Sequence, residues 1–376
     1  GFKPISKGRF EAIRLTIDQV SRIHTEGGSI IRTSRHNPTV DREDMERAVD
    51  TLADAGISHL ITIGGDDTAY SALMLSRQSL AKRAHPIRIA HVPKTIDNDL
   101  PLPEGIPTFG FETARSLGAQ LLTNIMEDAR TTGRWFLCVT MGRATGHLAL
   151  GIGKSAGATL ILIPEEFGPR VSLGTISDLI VGSVIKRLAM GRGYGVAVVA
   201  EGLMGKIPPE ELEELKTADR DEHGHVRYGE VNFSDALRDR VKRTLRELGI
   251  KVTLNDKEIG YELRCAPPNA FDVEYTRNLG YGAFEFLQEG GSGSMVTIQN
   301  NRIVPIPLEE IMDPATGRTQ QRPVNVESIQ YRIARRYMIR LTPHDFQDPV
   351  ALEALCRAAR MDREAFVGRF RPLADV

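Results

Sequence analysis

Two short polar motifs carry residue types suited to phosphate chemistry, and the first is Gly64-Gly65-Asp66-Asp67-Thr68, after an apolar run. Paired glycines let a backbone approach a phosphate, and the first amides of a following helix can bind an anion. Two aspartates would repel that anion unless a cation joins them, so the motif suggests Mg²⁺ between a carboxylate and phosphate oxygens. The alternative is a tight turn in which one aspartate caps a helix beginning near Thr68.

The second motif is PKTIDND at residues 93–99. It places a cation (Lys94), a hydroxyl (Thr95) and two carboxylates (Asp97 and Asp99) in one loop. Phosphoryl transfer needs charge neutralisation for the moving group and a base for the attacking hydroxyl, and these residue types supply both. The alternative is a solvated Asn/Asp turn. Because GGDDT also has the residue types of a phosphate-binding loop, a role of this loop in phosphoryl transfer is favoured.

The third motif is Met141-Gly142-Arg143, with Gly146 and His147 a few residues on. An arginine beside a glycine at a strand end can bind a phosphate through two parallel hydrogen bonds. Because most arginines lie on the surface, this motif alone is weak evidence for a phosphate-binding site. His147 is predicted to start a helix and to pack, and we do not include it in the site.

The elements that must position these motifs alternate between strands and helices. A helix is predicted at 43–55 and is ended by Gly56. Strands are predicted at 57–63, 87–92 (ending at Pro93), 135–141, 159–163, 194–200 and 295–298. Helical patterns follow at 328–341 and 349–369, and residues 205–231 are predicted to be a solvated insertion or lid. Such alternation predicts an α/β fold with parallel sheets, in which ligands bind beyond the carboxyl ends of the strands.

The composition limits the class of protein. The chain has 376 residues, enough for two cores, with 41% hydrophobic residues, 26% charged residues and a net charge of −1. A near-neutral balance argues against a nucleic-acid partner, and no apolar run long enough to span a membrane is present. Three widely spaced cysteines (Cys138, Cys265 and Cys356) form neither a disulfide framework nor a metal motif. We therefore expect a cytoplasmic protein.

Taken together, the motifs resemble those of the phosphofructokinase family. GGDDT, PKTIDND, FGFETA (109–114), MGR, Glu201-Gly202 and GYELR (260–264) occur in the family's order, from about Gly27 to Phe286. The resemblance implies two Rossmann-like three-layer α/β/α domains with mostly parallel sheets. It implies a donor-binding domain of residues 1–110 plus about 265–325, and a sugar-phosphate domain of residues 111–264 plus about 326–376.

The resemblance also implies roles for individual residues. Asp97 would take the proton from the 1-hydroxyl of fructose 6-phosphate, and Asp66 would bind Mg²⁺. The sugar-binding set would be Thr95, Ile96, Asp99, Arg134, Met141, Gly142, Arg143, Glu201, Tyr261 and Arg264. The donor phosphates would contact Arg35, Gly64, Gly65 and Thr68. Arg134 matches an arginine that reaches a neighbouring subunit's site, which implies a homodimer or homotetramer.

Two positions bear on the phosphoryl donor, since relatives that use ATP usually have glycine where this chain has Asp67 and Lys94. An Asp67 carboxylate would repel a nucleotide α-phosphate. Two unit charges about 4 Å apart interact by roughly 4 kcal/mol at an effective dielectric constant of about 20, which is on the order of a thousandfold in affinity. The resemblance assigns Lys94 to pyrophosphate and to the transferring group. We therefore expect reversible phosphoryl transfer between pyrophosphate and fructose 6-phosphate.

The sequence departs from the family in two places. Family members begin with a strand and a glycine-rich loop that this chain lacks before Gly1, so we expect the natural protein to be longer. An arginine expected shortly before Tyr261 is also missing, and Asn255 or Lys257 lies near its place. The alternatives are an ATP-dependent phosphofructokinase and a non-catalytic regulatory subunit, although the latter should lose Asp97 and Asp66. A dinucleotide-binding dehydrogenase ranks last, because no GxGxxG opens a βαβ unit.

Overall fold

The structure is a computed structural model that describes residues 1–82, 85–211 and 233–376. These residues form two compact units, each with its own sheet. The first unit contains residues 1–114 and 264–322, and the second contains residues 115–211, 233–263 and 323–376. The insertion predicted at 205–231 lies for the most part outside the described residues.

The helices and strands follow one another along both units. The helices are α1 (Lys3–Ser6), α2 (Ile17–Val20), α3 (Arg42–Asp54), α4 (Asp66–Lys82), α5 (Phe111–Thr132), α6 (His147–Ala156), α7 (Leu173–Ala189), α8 (Phe233–Glu247), α9 (Tyr261–Arg264), α10 (Ala270–Gln288), α11 (Ile329–Tyr337), α12 (Pro343–Gln347), α13 (Pro349–Ala359) and α14 (Arg363–Phe370). The strands are β1 (His59–Gly64), β2 (Arg88–Thr95), β3 (Phe109–Gly110), β4 (Trp135–Thr140), β5 (Leu160–Leu162), β6 (Gly195–Ala200), β7 (Leu254–Ile259), β8 (Ser294–Gln299) and β9 (Arg302–Pro307). In the described part of the chain, no helix is both long enough and apolar enough to cross a membrane.

The sheet of the first unit has the order β1-β2-β8-β9, with β3 also paired to β2. Only β9 runs antiparallel to its neighbour. Gly64 at the end of β1 lies opposite Pro93 in β2, so the first two motifs leave the sheet at the same edge. The prediction that β2 ends at Pro93 is wrong. The strand continues to Thr95 because Lys94 and Thr95 pair with β3.

Helices cover both faces of this first sheet. Ile89 of β2 belongs to a cluster of buried side chains formed with α3 and α4. The next residue, Ala90, belongs to a separate cluster formed with α10. Because successive side chains of a strand point to opposite faces, these two clusters lie on opposite sides of the sheet. The predicted α/β class is thereby confirmed, with a three-layer arrangement in this unit.

The sheet of the second unit is parallel throughout and has the order β5-β6-β4-β7. One of its two central strands, β4, begins at Trp135, which is fully buried and packs over Gly195 of β6. At the other end of the strand, Thr140 lies opposite Ala200 of β6 and Ile259 of β7. The segments MGR, Glu201-Gly202 and GYELR therefore begin at one level, at the carboxyl edge of this sheet.

Helix ends follow local capping. The predicted helix at 43–55 is confirmed as α3, and Gly56 follows it with a left-handed φ of 73°. A continuous helix over 349–369 is wrong: Arg360 is left-handed (φ 55°) and ends α13, and Asp362 caps α14 by accepting from the Ala365 amide. The helix expected at 328–341 ends earlier, at Tyr337.

Candidate active site

The GGDDT motif forms the turn from β1 into α4. The helix begins at Asp66, two residues before the predicted start near Thr68, so Asp66 and Asp67 lie in its first turn. The helix dipole favours negative charge there, and the free amides of that turn favour an anion. A side chain at Gly64 would place its Cβ 2.2 Å from the Thr68 hydroxyl oxygen, so this position needs glycine.

Gly65 brings the first motif against the second. A Cβ atom on Gly65 would lie 3.7 Å from the backbone oxygen of Lys94, which is ordinary contact distance. Lys94 itself is exposed at the end of β2, and Asp66, Asp67 and Thr68 are half-buried. The structure therefore brings the GGDDT turn and the start of the PKTIDND loop together in the first unit.

The PKTIDND loop buries its acidic residues. Asp97 is 6% exposed and Asp99 is 3% exposed. The Thr95 hydroxyl accepts a hydrogen bond from the Asp97 amide (3.1 Å), and the Thr95 carbonyl accepts one from the Thr108 hydroxyl (2.7 Å). Ile96 packs beside Gly110 of β3. These contacts fix the part of the loop that directly precedes Asp97.

Asn98 turns the loop back with a left-handed backbone, at φ 57°. Asparagine tolerates this region better than most residues because its amide can bond locally. Here the Asn98 side-chain oxygen accepts from the Thr108 amide at 3.0 Å. The turn also contacts Arg322, a residue that the sequence motifs did not indicate.

The FGFETA segment is held by Asp272 of α10. The Asp272 carboxylate accepts hydrogen bonds from the Gly110 amide (2.8 Å) and from the amide and hydroxyl of Thr113 (2.7 and 2.5 Å). Asp272 is only 1% exposed, so these bonds satisfy a buried charge. Sequence reasoning did not find this residue, because its partners lie about 160 positions away.

In the second unit, Glu201 organises the MGR motif. One oxygen of its carboxylate accepts from the amides of Gly142 (2.9 Å) and Arg143 (2.7 Å). Arg143 is left-handed at φ 51°, a conformation that costs about 1–3 kcal/mol for a residue other than glycine. Hydrogen bonds to an ionised acceptor are strong enough to hold such a turn. Gly202 permits the close approach, since a Cβ there would lie 2.6 Å from the Arg143 carbonyl oxygen.

A second glutamate, Glu165, holds the turn after MGR and was not predicted from the sequence. Its Oε1 accepts from the amides of Gly146 and Val324, both at 2.9 Å. Burial raises the pKa of Glu165, and these two hydrogen bonds partly counter that effect. The carboxylates of the buried Glu201 and the half-buried Glu165 thus shape the backbone on either side of Arg143.

The remaining predicted sugar residues lie at two ends of the second sheet. Tyr261, at the start of α9, is 55% exposed, and Arg264 ends that helix and is exposed. Both follow β7 at the carboxyl edge, on the side of Met141, which is buried. Arg134 is exposed and precedes β4, at the opposite edge. A strand of six residues separates it from MGR, a distance of about 20 Å.

Arg35 is exposed in the irregular segment 32–37 of the first unit. Within the described part of the chain, the contacts do not join it to GGDDT or PKTIDND. The donor set predicted from the resemblance is therefore brought together for Gly64, Gly65 and Thr68, and its extension to Arg35 stays a prediction.

The residues of the first unit fit a magnesium ion that binds together with phosphate. Among the described residues, no group of three or more His, Cys, Asp or Glu side chains could hold a metal by itself. Mg²⁺ commonly binds one or two carboxylates and takes its other ligands from phosphate oxygens and water. Asp66 and Asp67 offer such carboxylates in the first turn of α4, where free amides favour an anion.

Comparisons with known proteins agree along nearly the whole chain. The family model described as Phosphofructokinase matches residues 1–287. The chain is 48% identical over 376 residues to a pyrophosphate–fructose 6-phosphate 1-phosphotransferase of Thermotoga maritima, covering 98% of this chain and 89% of that protein. It is 47% identical over 374 residues to a protein of the same name from Naegleria fowleri, covering 96% and 84%.

Solved structures share the fold at lower identity. A pyrophosphate-dependent phosphofructokinase from Marinobacter aquaeolei matches with a TM-score of 0.62 and 21% identity, covering 84% of this chain and 74% of that one. One from Nitrosospira multiformis matches with a TM-score of 0.65 and 20% identity, covering 86% and 76%. From the extent of these matches and the motifs in place, the chain belongs to the phosphofructokinase family.

Proposed function

We propose that this protein transfers a phosphoryl group reversibly from pyrophosphate to the 1-hydroxyl of fructose 6-phosphate. The products are fructose 1,6-bisphosphate and phosphate. Relatives that are nearly half identical over almost the whole chain carry the name of this activity. The presence of Asp67 and Lys94 at the two donor positions supports the same choice of donor.

The pairing of β1 with β2 is the observation that carries the proposal. Gly64 and Pro93 are register partners, so the turn rich in glycine and aspartate and the loop with Asp97 leave one sheet side by side. Phosphoryl transfer depends mainly on positioning and on charge stabilisation, and two adjacent rigid loops suit that demand.

In the proposed reaction Asp97 is the base. It accepts the proton of the sugar 1-hydroxyl while that oxygen forms a bond to phosphorus, and the bond from phosphorus to the bridging oxygen of pyrophosphate breaks to release phosphate. Lys94 stabilises negative charge on the transferring group and on pyrophosphate. Mg²⁺, when bound by Asp66 and phosphate oxygens, supplies further charge neutralisation.

Donor selection is proposed to rest on charge. The carboxylate of Asp67 would repel the α-phosphate of a nucleotide, whereas pyrophosphate has no third phosphate group to place there. Gly64, Gly65 and Thr68 would contact the donor phosphates through the backbone and the start of α4, together with Arg35. Because the leaving group is phosphate, the reaction is expected to run appreciably in both directions.

Sugar binding is assigned to the carboxyl edge of the second sheet. Arg143 and Arg264 would bind the 6-phosphate, and Met141, Gly142 and Tyr261 would line the sugar. Glu201 would act at least in part by holding the MGR backbone, given its two amide partners. In the PKTIDND loop, Thr95, Ile96 and Asp99 would bind the sugar and order the loop.

We further propose a homodimer or homotetramer in the cytoplasm. Arg134 lies at the end of β4 away from MGR, so it suits a role in a neighbouring subunit's site better than a role in its own. The three free cysteines, Cys138, Cys265 and Cys356, suit a reducing compartment.

A direct test compares the donors in parallel. The purified full-length protein would be given fructose 6-phosphate and Mg²⁺ with either pyrophosphate or ATP, and fructose 1,6-bisphosphate would be measured. We expect kcat/KM for pyrophosphate to exceed that for ATP by about a hundredfold or more. We also expect pyrophosphate to form from the bisphosphate and phosphate. Preference for ATP, or turnover in one direction only, would refute the proposal.

A further inference from the structure

The segment 319–322 contacts both phosphate-type loops of the first unit, and nothing in the sequence motifs or the family match assigns it a role. The family model ends at residue 287, well before this segment. Thr319 donates its hydroxyl to the backbone oxygen of Asp66 at 2.9 Å, in the GGDDT turn. Three residues later, Arg322 contacts the PKTIDND loop.

Arg322 bonds directly to the turn that follows Asp97. Its Nη2 donates to the backbone oxygen of Asn98 at 2.9 Å and to the Asn98 side-chain oxygen at 2.6 Å. Its Nε also donates to the Asn98 backbone oxygen at 3.3 Å, and its amide donates to the Asp99 carbonyl at 2.7 Å. The left-handed residue of the loop is therefore held from both its backbone and its side chain.

The same guanidinium closes the rest of the loop. Its Nη1 donates to the carbonyl oxygens of Ile106 (2.8 Å), Leu102 (3.1 Å) and Pro103 (3.2 Å). Burial lowers the pKa of Arg322, and the nearby Asp99 charge opposes that shift. The planar fork of an arginine can serve acceptors spread over such a surface, whereas a lysine ammonium presents its donors from a single point.

The segment is itself anchored to the core of the first unit. The Gln320 amide donates to the carbonyl of Ile311, which is 2% exposed in the cluster formed with α3 and α4. The Gln320 side chain donates to the carbonyl of Met312 at 3.0 Å, and Met312 also pairs with Thr319 in an isolated β-bridge. Residues 319–322 therefore have a fixed base from which to hold the two loops.

We propose that residues 319–322 form a clamp that positions the GGDDT turn and the Asp97 loop for phosphoryl transfer, with Arg322 as the main positioning residue. The inference rests on the proposed function, because it assigns the clamp to that reaction. Arg322 acts through Asn98 and Asp99 and does not itself take part in chemistry. Thr319 acts through the backbone of Asp66.

The test compares Arg322→Ala, Arg322→Lys and Thr319→Val with Arg302→Ala, an exposed arginine on β9 of the same unit. Each full-length variant would be assayed for kcat and for both KM values, with the folded fraction measured by thermal melting. Arg322→Ala should lower kcat per folded enzyme about thirtyfold or more, while the KM for pyrophosphate changes less than about threefold. The kcat of Arg322→Lys should stay about tenfold below that of the parent. A lysine supplies the charge but not the planar set of donors that holds the loop.

Two readouts separate positioning from mere folding. Methylguanidinium should restore kcat of Arg322→Ala about fivefold or more and leave Arg302→Ala unchanged. The solvent isotope effect on kcat should rise in both Arg322 variants, because the transfer of the proton to Asp97 becomes slower. Thr319→Val keeps the shape and removes one hydrogen bond, so it should raise the KM for pyrophosphate by about threefold to tenfold.

The outcomes also separate this inference from the proposed function. If the parent protein does not turn over pyrophosphate, the proposed function fails and this assignment of the clamp fails with it. If the parent is active and both Arg322 variants keep kcat within about threefold of it, the clamp is refuted and the proposed function stands. Should Arg322→Ala not fold, Arg322→Lys and Thr319→Val decide by the same criteria.

Discussion

Asp67 and Lys94 bring opposite charges to the two loops of the first sheet. Asp67 lies in the first turn of α4, where the helix dipole stabilises a carboxylate by about 0.3–1 kcal/mol. That local effect alone would account for an acidic residue at this position. The donor proposal asks more of Asp67, namely that its charge repels a nucleotide, and this stronger claim is testable by substitution.

Removing the two charges should change the donor. In Asp67→Gly combined with Lys94→Gly, we expect kcat/KM for pyrophosphate to fall about a hundredfold and that for ATP to rise at least about tenfold. Asp67→Asn keeps the size and removes the charge, so it separates repulsion from crowding. If parallel assays show that neither variant gains ATP use, the charge argument is wrong.

A third residue, His91, influences the first unit through its protonation. It is fully buried in β2, and its Nδ1 lies 2.9 Å from the Thr62 hydroxyl. Burial lowers the pKa of His91 to about 3. In the unfolded chain the pKa would be about 6.5, so only the unfolded state binds this proton between those two values. We therefore expect the free energy of unfolding to fall as the pH drops from about 6.5 towards 3.

Substituting His91 should flatten that dependence. In His91→Gln, the loss of unfolding free energy between pH 6.5 and 4.5 should shrink by up to about 1.4 kcal/mol per pH unit, as measured by urea denaturation. The buried Asp44, whose pKa is lowered to about 2 by Lys7 and Arg47, loses its stabilising effect only at lower pH. His59→Gln, at an exposed position on β1, is the matched control. Equal pH slopes for parent and His91→Gln would contradict the assignment.

At the scale of elements, both functional loops turn through a left-handed residue that is not glycine. Asn98 and Arg143 occupy this strained region, and each is held by a charged side chain from a distant element, Arg322 and Glu201 respectively. A glycine would relieve the strain but would lose the side chain and the rigidity. The strain is thus balanced by charge-assisted hydrogen bonds that fix the loops.

Weakening the hydrogen bonds that Glu201 accepts from the MGR backbone should affect the proposed sugar site first. Glu201→Gln keeps an oxygen acceptor but loses the negative charge, which should cost roughly 1–2 kcal/mol of loop stabilisation. We expect the KM for fructose 6-phosphate to rise about tenfold and the KM for pyrophosphate to change less than about threefold. Steady-state kinetics measure both, with Glu247→Gln, exposed at the end of α8, as the control. An equal rise in both KM values would argue against a role limited to the sugar site.

The elements show what the sequence could and could not predict. Apolar runs bounded by glycine or proline located the strands that lead to the motifs, because buried parallel strands have this pattern. The sequence predicted that β2 ends at Pro93, but the strand continues to Thr95, because this extension depends on pairing with β3. Arg322 and Glu165 were missed because each is a single polar residue outside any motif, and each has a partner more than 150 positions away. Only the folded chain brings such pairs together.

At the scale of the whole molecule, most motifs fall within one compact unit, whereas GYELR is divided, because Arg264 belongs to the first unit. GGDDT, PKTIDND and FGFETA lie in residues 1–114, and MGR, Glu201 and Tyr261 lie in the second unit. The C-terminal residues 323–376 join the second unit, where Val324 shares Glu165 with the turn after MGR. The clamp at 319–322 belongs to the first unit.

An oligomer in which Arg134 serves a neighbouring subunit makes a specific prediction. Arg134→Ala and Asp97→Asn should each be inactive alone, but a mixed oligomer contains one site with both native residues. In a symmetric mixed dimer one of the two sites is intact, so about half of the parent activity should return. Co-expression with two affinity tags and an assay of the doubly selected protein measure this. If the mixed oligomer is no more active than the single variants, Arg134 does not serve the neighbouring subunit's site. The control uses Arg192→Ala in place of Arg134→Ala.

Because Gly64 lies opposite Pro93 in the sheet, the lengths of β1 and β2 are restricted. One residue added to β1 or β2 would shift one loop along the strand by about 3.3 Å relative to the other and would exchange the two faces of the strand beyond it. In the proposed reaction a carboxylate and a hydroxyl must meet within hydrogen-bonding distance, and such a step would separate them. We therefore expect relatives to keep the residue counts of these two strands and to vary in the lengths of their surface turns.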